Sequence, residues 1–159
     1  MDLSPNLPSG LSGQKPEIRA RCGSLCSSCA AYKENAKTDD DCRRASEGWQ
    51  KVLGFLIPPE GICCDGCLEP DENNPRRIEK DCRIRACVLE KKIVHCGKCS
   101  TFPCEHLEQH LRPVEHVGRD EHKRLSDKEV REFVEPYLCR EFLEASARKQ
   151  DPDPGRSLP

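Results

Sequence analysis

The sequence predicts a small, mostly helical, irregular domain, stabilised by metal and built from short helices and cysteine knuckle turns. Three observations carry that expectation. Thirteen cysteines fall within 159 residues, most of them in closely spaced groups. The chain is too polar for a large core, with 35% apolar residues, 34% charged residues and a mean hydropathy of -0.76. No segment alternates apolar and polar residues as a half-buried strand does.

With one Trp and four Phe, a conventional core is out of reach and covalent or metal staples are needed. Disulfides require an oxidising compartment. Met1 to Lys15 shows no apolar signal-peptide core, the cysteine count is odd, and Cys63 and Cys64 are adjacent. No stretch approaches the roughly 20 apolar residues of a membrane span. The expectation is a cytoplasmic protein with reduced, metal-binding thiols and no membrane association.

Residues 1–17 are expected to form a disordered tail rich in Ser, Pro and Gly, and residues 148–159 a second one. A single cysteine-rich domain spans 18–147 between them. Its first helix is expected from Thr38 to about Phe55, capped by Thr38 or Asp39. Asp39, Asp40 and Asp41 favour its positive end. Cys42, Ala45, Trp49, Val52 and Leu53 share one face at helical spacing, which makes Trp49 the aromatic anchor of a small core. The stretch Glu69 to Arg77 is a polar loop. Asp81 is positioned to cap a short helix carrying Cys82, Ile84, Arg85, Cys87 and Val88. Pro103 suits the first position of a helix with Leu107 and Leu111 inward.

A C-terminal helical extension follows over about 125–147. Ser126 and Glu129 form a capping box, with Leu125 and Val130 as its hydrophobic staple. Val130, Phe133, Val134, Tyr137 and Leu138 form the buried stripe. Pro136 lacks an N–H and should kink or split the helix.

The cysteines are where the chemistry lies. Cys22, Cys26 and Cys29 form one group, Cys64 and Cys67 a second, Cys82 and Cys87 a third, and Cys96, Cys99 and Cys104 a fourth. Two thiolates separated by two residues reach one ion from a single turn, and four thiolates close a tetrahedral structural site. Ten ligands are therefore assigned, enough for about two zinc ions. One division groups Cys64, Cys67, Cys82 and Cys87. It leaves Cys96, Cys99 and Cys104 to take a fourth ligand from Cys22, Cys26 or Cys29. Interleaved ligation fits the spacing equally well.

An iron–sulfur cluster is the alternative cofactor, because such clusters also use thiolates. The C-x3-C-x2-C spacing of Cys22, Cys26 and Cys29 also occurs in radical enzymes that cleave S-adenosylmethionine. Those need a large partial barrel that short helices in 159 residues cannot build.

Cys42 and Cys139 read as core residues, and Cys63 as a spare thiol. His95 and His106 adjoin ligand turns and are secondary ligand candidates. His106 and His110 lie four apart but lack the glutamate of a hydrolytic zinc motif, and read as surface residues. No nucleophile–His–acid array, phosphate loop or nucleotide fingerprint is present, so nothing argues for an enzyme.

Residues 76–98 carry eight bases and three acids. That balance suggests nucleic acid until the thiolates are counted. A four-thiolate zinc site is formally -2, and nearby bases offset it. The stretch also lacks aromatics for stacking bases. Nucleic acid is therefore not the expected partner.

Together Cys22-Gly-x-x-Cys26-x-x-Cys29-Ala-x-Tyr32, Trp49, Cys64-x-Gly-Cys67, Cys82-x-Ile-Arg-x-Cys87 and His95-Cys96-x-x-Cys99-x-x-Phe-Pro-Cys104 resemble a known pattern. They are similar to the cysteine-rich prokaryotic family catalogued as domain of unknown function 3795. The likeness covers roughly residues 20–115. It implies a small cytosolic metal-binding protein of bacteria or archaea and brings no activity with it. Cys42, Cys63 and Cys139 lie outside the pattern, as does the C-terminal helix. The functional expectation is a structural-zinc adaptor that presents residues 76–98 to another protein. An iron–sulfur electron carrier is the second reading, and a metal or thiol transfer protein the third.

Overall fold

In a computed structural model, residues 15–120 and 124–149 are described. The expected tails fall outside these residues apart from Lys15–Glu17 and Arg148–Lys149. Arg148 belongs to the last helix and Lys149 caps it. The fold is mostly helical, and among the described residues there is no strand. Two isolated bridges stand in for a sheet, Arg19 with Leu25 and Tyr32 with Cys64.

Among the described residues there are five α-helices. Helix α1 is Asp39–Leu53, and its N-terminus forms as its sequence dictates. Thr38 accepts from the Asp41 amide, and the Asp41 carboxylate accepts from the Thr38 amide, a reciprocal capping box. Gly54 ends the helix in the left-handed region at φ 78, so Phe55 lies beyond it.

Helix α2 is Arg83–Glu90. Its N-cap is Cys82, one residue after the expected Asp81, and no side chain caps it. Helix α3 is Glu105–Arg119 with Cys104 as N-cap, so Pro103 precedes the helix instead of opening it.

The C-terminal extension splits at Pro136 as its missing N–H requires. Helix α4 is Asp127–Phe133, a 3-10 turn covers Glu135–Tyr137, and α5 is Arg140–Arg148. The Ser126–Glu129 capping box is formed. Leu138 departs from the expected buried stripe and is 44% exposed, because the split turns it away from the core.

Two small apolar clusters hold these pieces. The first gathers Ala45, Trp49 and Val52 of α1 with Ile62, Val114, Phe133 and Val134. The second gathers Ile84 and Val88 of α2 with Leu107, Leu111, Cys96, Cys139 and Leu143. Helix α3 spans both, with Leu107 and Leu111 in one and Val114 in the other. Arg140 of α5 is clamped between Glu108 and Glu115 of α3, bidentate to each at 2.5–3.0 Å. Such paired, charge-assisted bonds fix orientation as well as position. Cys42 packs at the edge of the first cluster and Cys139 is buried in the second.

Candidate metal centre

All thirteen cysteines are free thiols. Of the ten assigned ligands, Cys87 lies within α2, Cys82 and Cys104 are the N-caps of α2 and α3, and the other seven lie outside the α-helices. Cys26–Ser28 and Cys96–Lys98 are matching 3-10 turns, each closed by a bond of 3.0 Å from the amide of the next cysteine, Cys29 or Cys99, to the carbonyl of the first. The Cys64–Cys67 turn needs Gly66, which has φ 94.

The backbone brings the first two turns together. The Cys64 amide donates to the Ala31 carbonyl at 2.8 Å, and the Lys33 amide to the Cys64 carbonyl at 2.9 Å. Electrostatics agree with this pairing. Burial and then the neighbouring Cys67 and Cys29 charges push the Cys26 thiol up to about 12. Burial and then the Cys22 charge, with Cys64 also contributing, push Cys67 up to about 11. Burial also raises Cys29, opposed by the Tyr137 hydroxyl and the Ala31 amide. Cys26, Cys29, Cys64 and Cys67 thus form one neighbourhood.

A second neighbourhood surrounds the Cys96–Cys99 turn. Burial, followed by the charges of Cys22, Cys104, Cys99 and Cys87, pushes Cys96 up to about 12. Lys91, on the turn after α2, places its ammonium 3.1 Å from the Cys99 sulfur. The Thr101 hydroxyl lies 3.3 Å from that sulfur. Burial would raise Cys99, but Thr101 and Lys91 more than offset it, and the thiol is lowered. Of the division that joins Cys64 and Cys67 to Cys82 and Cys87, Cys82 does act on Cys67, whereas Cys87 acts on Cys96. Here Cys87 faces the Cys96 group, while Cys64 and Cys67 face Cys26 and Cys29. Among the described residues, no three His, Cys, Asp or Glu side chains already stand in a geometry that holds an ion.

Cys22 and Cys82 lie between the groups. Burial would raise Cys22, yet the His110 ring, by contact and charge, carries it below the ordinary value. Burial raises Cys82. The sequence reads His110 as a surface residue. It is exposed, but it stands against Cys22, and that contact raises its pKa. No spacing signal joins residues 88 positions apart. His95 is accounted for without an ion. Its Nδ1 accepts from the Gly97 amide at 3.1 Å and its ring packs on Phe142. His106 is exposed on α3.

The basic stretch is largely committed within the chain. Arg76 bonds Asp65, and Arg77 and Arg85 both hold Asp71. Arg85 also donates to the Cys67 carbonyl at 3.2 Å, and Lys98 to the Ser146 carbonyl at 3.1 Å. These contacts fasten the polar loop and the cysteine turns.

The C-terminal segment reaches both neighbourhoods. The Tyr137 hydroxyl lies 3.2 Å from the Cys29 sulfur and accepts from Trp49 Nε1 at 3.0 Å. The Cys139 thiol donates to the Cys22 carbonyl at 3.4 Å. Leu143 packs against Gly23, and its carbonyl stands close to Gly97. Neither Gly nor Tyr at these positions announces such a contact in sequence.

Among the described residues, no helix is long and apolar enough to cross a membrane. Residues 18–109 match the family model described as protein of unknown function (DUF3795). No curated protein and no solved structure matches the chain.

Proposed function

The chain belongs to the protein family of unknown function DUF3795, and we propose that it is a metal-binding module that serves as an adaptor for another protein. One ion, most simply zinc, takes Cys26, Cys29, Cys64 and Cys67. A second takes Cys87, Cys96, Cys99 and Cys104. The observation that carries this reading is the backbone pairing of Ala31 and Lys33 with Cys64, which sets two C-x2-C turns side by side. Thiols crowded enough to raise one another's pKa need a cation before they can ionise together at neutral pH. Zinc supplies that charge and accepts four thiolates at about 2.3 Å. The sulfurs complete their approach as the ion binds. Four thiolates leave no open position for a substrate, which supports a structural role. Cys22 and Cys82 remain as reserve ligands between the two sites.

The proposed setting is the reducing cytosol of a bacterial or archaeal cell, where the thiols persist. The proposed partner is an acidic protein face meeting the exposed Lys80, Arg83 and Lys92 within residues 76–98. Reversing those three charges should weaken a purified complex in a salt-dependent manner. A complex indifferent to them would move the interface elsewhere.

The test of the metal reading is anaerobic purification with zinc, iron and acid-labile sulfide measured on one sample. A colourless protein with about two zinc ions is the expected result. Brown protein containing sulfide would establish the iron–sulfur alternative instead.

A further inference from the structure

We infer that Tyr137, supplied by the segment beyond the family-matched residues, is a positioning residue for the first metal site, donating a hydrogen bond to the Cys29 sulfur. The inference rests on the metal reading above and deepens it. The geometry is specific. Trp49 Nε1 has only a proton to give, and at 3.0 Å it gives it to the Tyr137 oxygen. That occupies a lone pair on the phenol and leaves the hydroxyl proton to point elsewhere. The Cys29 sulfur stands 3.2 Å away on the hydroxyl's other side. The Trp49 and Tyr137 rings meet edge to face, with centroids 6.3 Å apart and planes at 63°. This contact and the burial of Trp49 hold the relay in place.

A donor on a metal-bound thiolate draws charge from sulfur, orients the ligand and slows its loss by protonation. The second site is served differently. There Cys99 meets the exposed Lys91 and Thr101. The two sites therefore differ in outer partner, one a phenol fixed by the core and the other a lysine at the surface. Residues 124–149 hold this phenol in place through Phe133 and Val134, both buried in the cluster that Tyr137 packs against. The extension is thus a clasp on the metal region.

The test compares the full-length protein with Tyr137→Phe, which keeps the ring and removes the hydroxyl. Zinc is withdrawn by a chromophoric chelator, and cobalt replaces zinc in parallel samples. The expected result is an unchanged far-UV spectrum and ion count, with affinity at one site falling about tenfold to a hundredfold. The sulfur-to-cobalt charge-transfer band should move to longer wavelength, because a thiolate without its donor gives up charge more easily. A purely structural role would leave that band in place. Lys91→Gln serves as the second variant and should perturb the other site only. Wild-type protein binding two ions, with Tyr137→Phe matching it in affinity and spectrum, overturns this inference alone. Wild-type protein that takes up neither metal overturns the metal reading and this inference together.

Discussion

The Phe133 ring stands where a side chain at Gly48 would be. A methyl group built on Gly48 would lie inside that ring. Gly48 is in the middle of α1, where glycine costs about 1 kcal/mol relative to alanine. The cost is offset by what the bare backbone admits, since Phe133 is 3% exposed and closes the first cluster over Trp49.

Gly48→Ala should therefore destabilise the protein despite its better helix propensity. Overpacking of about 1–3 kcal/mol outweighs a gain of about 1 kcal/mol. Urea titration of the metal-loaded protein checks this. A variant as stable as the parent would show that α4 does not dock as described.

Leu143 is fully buried in the second cluster and packs against Gly23, which has φ 94. Leu143→Ala should cost about 2–5 kcal/mol, the range for a large-to-small change in a well-packed site. It should also loosen the Cys96–Cys99 turn, which faces the same stretch of α5. Hydrogen exchange at the Cys99 amide reads that loosening, and unchanged protection would separate α5 from the turn.

Much of this architecture was legible in the sequence, for local reasons. Ser126 with Glu129 acts within one helical turn, so its spacing announces it, and Thr38 is one of the two caps expected for α1, though without its Asp41 partner. Pro136 breaks its helix through a missing N–H, which no distant contact can restore. The misses are non-local or marginal. Cys82 takes the cap position beside Asp81, a shift of one residue. Which cysteine turn faces which depends on the Ala31–Cys64 bond, across 33 positions of chain. Tyr137 lies 108 positions from Cys29, inside an apolar stripe that explained it fully as core. Two apolar clusters also exist where composition suggested little interior, because successive turns of one apolar face of α3 serve both.

Acid should test the α4 cap. Glu129 is held at about 2, first by the Lys51 ammonium and then by the Ser126 amide. Its folded pKa lies below the unfolded value of about 4.3. The stabilisation is therefore complete above about pH 4.3 and is lost as pH falls toward about 2. Glu129→Gln should flatten the melting temperature across that window relative to the parent. Parallel curves for the two proteins would contradict the assignment.

Metal uptake should expel protons. Without an ion, Cys26, Cys67 and Cys96 are thiols at neutral pH, since burial and then neighbouring charges place them at about 12, about 11 and about 12. Thiolate ligation then releases the protons of these three thiols, and affinity weakens as pH falls. Calorimetry in buffers of different ionisation enthalpy counts these protons. A release near zero would mean that the thiols are not the ligands.

Removing the ions under strict reduction, while following far-UV ellipticity and protease resistance, tests the account most directly. If bound metal joins the cysteine turns, the stripped chain loses most of its helical signal and is cut within residues 18–109, and zinc restores both. A stripped, reduced chain that keeps its ellipticity and resists the protease would show that the two apolar clusters suffice, and would contradict the metal-centred account.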